Sequence, residues 1–378
     1  MKKNLPIIIV LLLFFIQQGN TQVVNYFSVP GYNEISKIDT NTYSVLPSGR
    51  YVKPAGQSIR ISHDPFGLAI SPNQKIAITM HENAITIIDL ASMQQKRIPE
   101  YKKNAFNPLK KGSFLGVAFN TNKNIVYLSG GDEGSVVIYD YVQNKKIDSI
   151  LLDGNFGGIK YEGSFTSDLI YEAKRNELLI LDRGNFRLVR YSLDNKKIIA
   201  SIATGRQPFG LAISPDQKTV LVANVGMYAY PIVEGTTKEN IQSQYINWHP
   251  YGNNTKESIE GKVIDGKKIP GLGSPNVDES MSVYVIDLAT NKVKAKLKTG
   301  MLLGELVEDA EVIGGASPNS IVVGSKFAYV TNATNDNIAV IDYKKGRIVK
   351  HIPIKVDQRI DKLRGLVPFG IDLTKDEK

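Results

Sequence analysis

Cysteine is absent from all 378 residues. That removes disulfides, thiolate metal sites, covalently attached c-type haem and a lipid-modified N-terminal cysteine. Tryptophan occurs once, whereas a quinoprotein or haem dehydrogenase would want tryptophan docking repeats, vicinal cysteines or a Cys-x-x-Cys-His; that class is poorly supported. Basic residues exceed acidic ones to give a formal charge of +9. The lysines are scattered, in pairs such as Lys145-Lys146, Lys196-Lys197 and Lys344-Lys345, each between expected strands. No arginine-rich stripe interleaved with aromatics accompanies them, so the surplus reads as solvated surface and no nucleic acid is expected. Long apolar runs are also missing after the N-terminus. There, Lys2-Lys3 followed by Leu5 to Ile16 has the charged and apolar regions of a signal peptide. The apolar run is short beside the roughly 20 residues of a membrane span. Gly19 and Thr21 place a cut near Thr21–Gln22, so residues 1–21 are expected to leave, an uncleaved anchor being the alternative. The expectation is an exported protein, periplasmic or secreted, with no transmembrane span after cleavage.

What is present is one sentence written repeatedly. Pro208 to Asn224 reads PFGLAISPDQKTVLVAN: an apolar strand, the turn Ser214-Pro215-Asp216-Gln217-Lys218, and a returning strand. Proline presets φ in the turn and Asp216 can bond nearby backbone, so the stretch predicts a β-hairpin. Copies begin at Pro65, Phe114, Asp168, Pro208, Pro318 and Pro368. In the fourth copy the third strand is displaced to Ser282–Asp287. Four short strands per period of roughly 40–50 residues predict an all-β chain built as a β-propeller, whose blades must stack to bury their faces. Residues 22–62 are expected to contribute strands to a blade, and 63–378 to form the repeats, with a loop insertion over 226–280.

Tyr329-Val330-Thr331-Asn332 spells the hallmark of YVTN-family propellers; Val222-Ala223-Asn224 is a partial copy and Leu128-Ser129-Gly130-Gly131 a looser one. The chain resembles that family from about Leu46 onward. The resemblance implies seven four-stranded blades when complete, with this chain truncated in the sixth repeat. Leu46-Pro47-Ser48-Gly49-Arg50 with Pro54-Ala55-Gly56 is similar to the N-terminal entry of a bacterial subgroup, in which an alkaline-phosphatase-like phosphoesterase domain often follows. Any phosphoesterase chemistry would then lie outside these residues.

In such a blade the first strand lines the channel, and the loops joining strands two and three share one face with the blade crossings. That geometry nominates His63, Glu82, Asp132, Arg183, Arg206, Asn224 and Asn332 as channel-mouth ligand-binding residues. His63 and Arg206 are favoured because a turn needs neither side chain. Oxygen and nitrogen ligands at a mouth can hold a divalent cation, although Asn and Asp also simply cap turns. No cofactor and no specific metal set is predicted. In the insertion, Trp248, His249 and Tyr251 can stack on a sugar, or can form a small core of their own. The reading is a non-catalytic exported binding or scaffolding module, with a protein partner, a fused C-terminal domain or a small molecule as ligand. The alternative is a lactonase-like hydrolase at the channel mouth, recruiting His63, Glu82 and Arg206.

Overall fold

The computed structural model describes residues 28–102, 104–109, 112–237, 239–243, 255–307, 310–312, 315–355 and 365–377. The expected signal peptide and Trp248, His249 and Tyr251 lie outside the described residues. The chain divides into two compact units, Met1–Arg60 and Ile61–Lys378. In the first, Ser44–Val45 and Tyr51–Val52 form a two-stranded sheet, turned by Pro47-Ser48-Gly49 with Gly49 at φ +74°. Val45 already bonds Lys37 through both its backbone groups, at 3.0 and 2.9 Å, so the hairpin forms a small sheet of its own.

The second unit holds five four-stranded antiparallel sheets, each ordered one-two-three-four along the chain. Blade 1 comprises Leu68–Ile70, Ile76–His81, Ala84–Asp89 and Gln95–Ile98. Blade 2 comprises Val117–Phe119, Ile125–Ser129, Ser135–Asp140 and Lys145–Leu151. Blade 3 comprises Thr166–Glu172, Glu177–Asp182, Arg187–Ser192 and Lys197–Ala203. Blade 4 comprises Pro208–Ile213, Thr219–Asn224, Ser282–Asp287 and Lys292–Lys298. Blade 5 comprises Pro318–Val323, Ala328–Asn332, Asn337–Asp342 and Arg347–Pro353. First strands of successive blades are neighbours, which makes this a β-propeller with the first strands innermost.

Strand periodicity explains the stacking. In blade 3, Leu178 and Ile180 pack with Ile150 and Leu169 toward blade 2, while Leu179 and Leu181 pack with Val220 and Tyr284 toward blade 4. Successive side chains of one strand thus serve opposite seams. Blades 1 and 2 share a core around Ile78, Met80 and Tyr139; blades 4 and 5 share one around Leu221, Val285 and Ile341. Each buried Leu or Ile contributes about 1.5–3 kcal/mol, so these seams do the holding that disulfides cannot. Lys145, Lys146 and Lys197 open outermost strands, not loops, and place charge along the strands with a free edge.

The insertion in blade 4 is interrupted by a helix, Lys256–Glu260, and a hairpin, Gly261–Ile264 with Lys267–Pro270. Its Asp265-Gly266 turn has φ of +50° and +75°, the conformation that Asp-Gly favours. The expected displacement of the third strand is found: Asn224 pairs with Ser282 and Thr219 with Asp287. Residues 365–377 carry no strand among those described. They are nonetheless anchored, because Asp336 accepts from the N–H groups of Gly365, Leu366 and Val367 at 2.6–2.9 Å. The Thr331 hydroxyl also donates to the Phe369 carbonyl at 2.7 Å.

Candidate functional site

The repeat places a phenylalanine at or near the start of the innermost strands, and several meet at one mouth of the channel. Phe114 lies 5.9 Å from Phe66, 5.2 Å from Phe165 and 5.4 Å from Phe209, and Phe209 lies 5.7 Å from Phe369. Three of these contacts are edge-to-face, the arrangement the ring quadrupole favours. Arg183, from the loop after the second strand of blade 3, holds its guanidinium 5.7–6.0 Å from the rings of Phe114, Phe165 and Phe209. Its Nη2 donates to Gln207 Oε1 at 2.7 Å. Burial holds the guanidinium below its ordinary pKa.

Two pockets open on this aromatic floor and share Phe165. One, of about 410 Å³, sets Glu82 and Asp132 beside Phe66 and Phe114. The other, of about 330 Å³, sets Arg183 and Gln207 beside Phe165, Phe186 and Tyr230. Among the described residues neither Glu82 nor Asp132 has an ion-pair partner. One mouth therefore presents an acidic and a cationic pocket on a common hydrophobic base.

Deeper, a cavity of about 300 Å³ occupies the channel between the innermost strands. Its polar side chains include Asp168 and Asn319. Asp168 stands at the position where Gly67, Gly116 and Gly210 stand in other repeats, and it staples two blades. Its Oδ1 accepts from Leu169 N at 2.8 Å and its Oδ2 from Leu211 N of blade 4 at 3.2 Å. The half-buried carboxyl lines this cavity, and desolvation by the surrounding strands pushes its pKa up to about 7 against the two backbone bonds that lower it.

A carboxyl whose folded pKa exceeds its unfolded value binds extra protons in the native state, so its contribution is present at low pH and is lost as pH rises. Asp168 should therefore lower stability between about pH 4 and pH 7. Urea unfolding at pH 4.5 and 7.5 tests this: Asp168→Asn should remove a pH-dependent difference on the order of 1–4 kcal/mol between the two conditions. The readout is the difference in slope from the parent, since an amide NH₂ facing Leu211 N–H also changes absolute stability. Equal slopes would show that Asp168 titrates normally.

The structure brings Glu82, Asp132 and Arg183 to the mouth, and it places the other nominated residues differently. Asn224 is buried, and its Nδ2 donates to the carbonyls of Val222 and Ser282. Asn332 is buried too, its Nδ2 donating to Thr299 Oγ1 and Asn337 Oδ1. Both bond internally at strand ends. Arg206 is also withdrawn, because its Nη1 donates to Met227 O at 2.7 Å, Ser280 Oγ at 2.9 Å and Ser274 O at 3.3 Å. It pins the base of the insertion. His63 is exposed and bonds Asp64 at 2.9 Å; it lines neither mouth pocket. The buried His81 Nδ1 donates to the His63 carbonyl at 2.8 Å, leaving Nε2 to accept from Thr86 at 2.9 Å. Among the described residues no three His, Asp or Glu side chains converge to hold a metal ion.

Sequence reasoning missed the phenylalanine floor, Tyr230, and Asp168 and Asn319 in the channel cavity. The available signal was positional: phenylalanine recurs where first strands begin, and aspartate replaces a recurrent glycine.

These features define a β-propeller scaffold. Its fold is similar to that of a streptogramin B lyase, with TM-score 0.52 and 12% identity over 89% of this chain and 80% of that one. The WD40 repeats of RRP9 and the structure of U3-55K each align at TM-score 0.48 and 10% identity, over 82% of this chain and 77% of theirs. At such identities the likeness is one of fold alone. No family model matches the chain, and no curated protein does. Among the described residues no helix is long and apolar enough to cross a membrane.

Proposed function

We propose that this protein is an exported, non-catalytic β-propeller module that binds its ligand at the channel mouth. The observation that carries the reading is the phenylalanine floor shared by two pockets of opposite charge. Stacked rings bury a ligand's apolar face, while Glu82, Asp132 and Arg183 orient its polar groups. The ligand is a free small molecule or a side chain presented by a partner or a fused domain. The lyase of similar fold acts on a small molecule, and a hydrolytic alternative on this scaffold would act on a sugar lactone. Among the described residues, however, no histidine lines the pocket of Glu82 and Asp132 as an acid–base partner.

Thermal-shift titration with free amino acids, monosaccharides and aromatic acids tests the reading. At least one class should raise the parent's Tm by a few degrees at millimolar concentration, and Phe165→Ala should abolish the shift. A panel without effect, or a shift that survives Phe165→Ala, would sink it. Hydrolysis of glucono-δ-lactone above background would replace it with the enzymatic alternative. Export has its own test: N-terminal sequencing of the native protein should begin at Gln22.

A further inference from the structure

The arginines of blade 3 and its crossing to blade 4 are bonded differently; Arg175 pairs with Glu172 at 3.2 Å and donates to the Gln217 carbonyl. Arg187 donates to Asp182 and to the Leu152 carbonyl. Arg190 makes a bidentate pair with Glu177 and donates to Leu288 O and Asn291 Oδ1. Arg206 holds three partners in the insertion. Arg183 is also partly buried, yet its guanidinium has one hydrogen bond, to Gln207, and no carboxylate partner among the described residues. Its remaining N–H donors are uncommitted and border a pocket. A desolvated guanidinium without a counter-charge is costly to keep; Arg175, Arg187 and Arg190 each have a carboxylate partner, and Arg206 sets its Nη1 among three acceptors of the insertion.

The pocket around Arg183 supplies the rest of a receptor. Gln207 accepts from Arg183 through Oε1, so its amide Nε2 is left to donate. Tyr230 also lines the pocket, and Phe165 and Phe186 form apolar walls. Among the described residues no carboxylate lines this pocket, so its polar lining is donor-rich and its charge is positive. The neighbouring pocket carries Glu82 and Asp132, which disfavours a dianion close by.

We propose that this pocket is a carboxylate receptor for a ligand with a flat aromatic or alicyclic body. The carboxylate takes the free edge of the Arg183 fork, the geometry in which arginine binds it bidentately. Gln207 Nε2 adds a donor, and the ring lies against Phe165 and Phe186. The assignment rests on the mouth being the binding site and names the ligand class for its cationic half.

Calorimetric titration of the whole protein with sodium benzoate tests it, with benzamide, benzylammonium and phenyl phosphate as comparisons. Benzoate should bind with a Kd of about 1–10 mM, as expected for so small a fragment. Benzamide and phenyl phosphate should bind at least about tenfold more weakly, equivalent to roughly 1.4 kcal/mol. Arg183→Leu should abolish benzoate binding. Arg183→Lys, which keeps the charge and stem but loses the fork, should weaken it about tenfold with the circular dichroism spectrum unchanged. If Arg183→Leu fails to fold, the lysine variant and Gln207→Leu carry the test. The assignment is overturned if benzoate does not bind, if benzamide or phenyl phosphate binds as tightly, or if benzoate binding survives at Arg183→Lys unchanged. Absence of benzoate binding together with benzylammonium binding that is lost in Phe165→Ala but unaffected at Arg183 would leave the mouth as a binding site while removing the carboxylate assignment.

Discussion

Asp182→Ala should destabilise the propeller by about 3–5 kcal/mol, the range for leaving one member of a buried ion pair uncompensated. Asp182 closes the second strand of blade 3 and is fully buried. Its carboxylate accepts from Ser164 Oγ at 2.8 Å, Phe165 N at 3.1 Å, Asn185 Nδ2 at 3.0 Å and Arg187 Nε at 2.8 Å. Arg187 is equally withdrawn from water and lies 3.4 Å from the centre of the Tyr161 ring. With the carboxylate gone, its guanidinium would keep the Leu152 carbonyl and the ring, with no anion. Urea unfolding measures the loss, and Asp182→Ala with Arg187→Met should recover part of it, because the stranded charge is removed as well. A loss under about 1 kcal/mol would mean that water reaches the pair. The same residue connects stability to the site: Phe165 N–H is one of its donors, so the variant should also loosen the ring shared by both pockets.

Gly67→Ala should cost about 3 kcal/mol or more, while Gly370→Ala should stay within about 0.5 kcal/mol. Both glycines sit in a Pro-Phe-Gly sequence, so sequence alone would assign them one effect. In the fold, a Cβ on Gly67 would overlap the Leu115 carbonyl oxygen of the next blade, whereas one on Gly370 meets nothing within 4 Å. The first obstruction is backbone, which cannot rotate aside; two innermost strands would have to separate and open the seam that Ile78 and Met80 fill. Gly210 repeats the situation against the Asn319 carbonyl. Chemical denaturation of the two variants side by side decides the matter. Equal effects at Gly67 and Gly370 would show that the glycine serves backbone freedom and not the close approach of blades.

The alternating pattern and the turn residues carried much of this architecture. Glu177–Leu181, Arg187–Ser192, Asn337–Asp342 and the displaced Ser282–Asp287 were legible because a strand with both faces covered reads as a short apolar run between turn signals. Even the long insertion did not hide the pairing of Thr219–Asn224 with Ser282–Asp287, since the interrupted sentence resumes where the register requires. Outermost strands were harder to read. Lys145–Leu151 and Lys197–Ala203 mix lysine with apolar residues because only part of each is covered.

The site divided differently. Glu82, Asp132 and Arg183 were reachable by counting from the ends of second strands. Asn224 and Asn332 occupy comparable positions and Arg206 precedes a first strand, and all three bond internally. Position along a strand determines which face of the disc a residue approaches. Whether its side chain meets solvent or a carbonyl depends on what the insertion and the neighbouring blade bring alongside. Sequence by itself determined the β architecture, the repeat and the face that carries the loops, since hydrophobic periodicity and turn chemistry are local. Tertiary structure alone decided which arginine borders a pocket, which aspartate is desolvated and which phenylalanines meet, because side-chain convergence and solvent exclusion arise only when distant blades close around the same space.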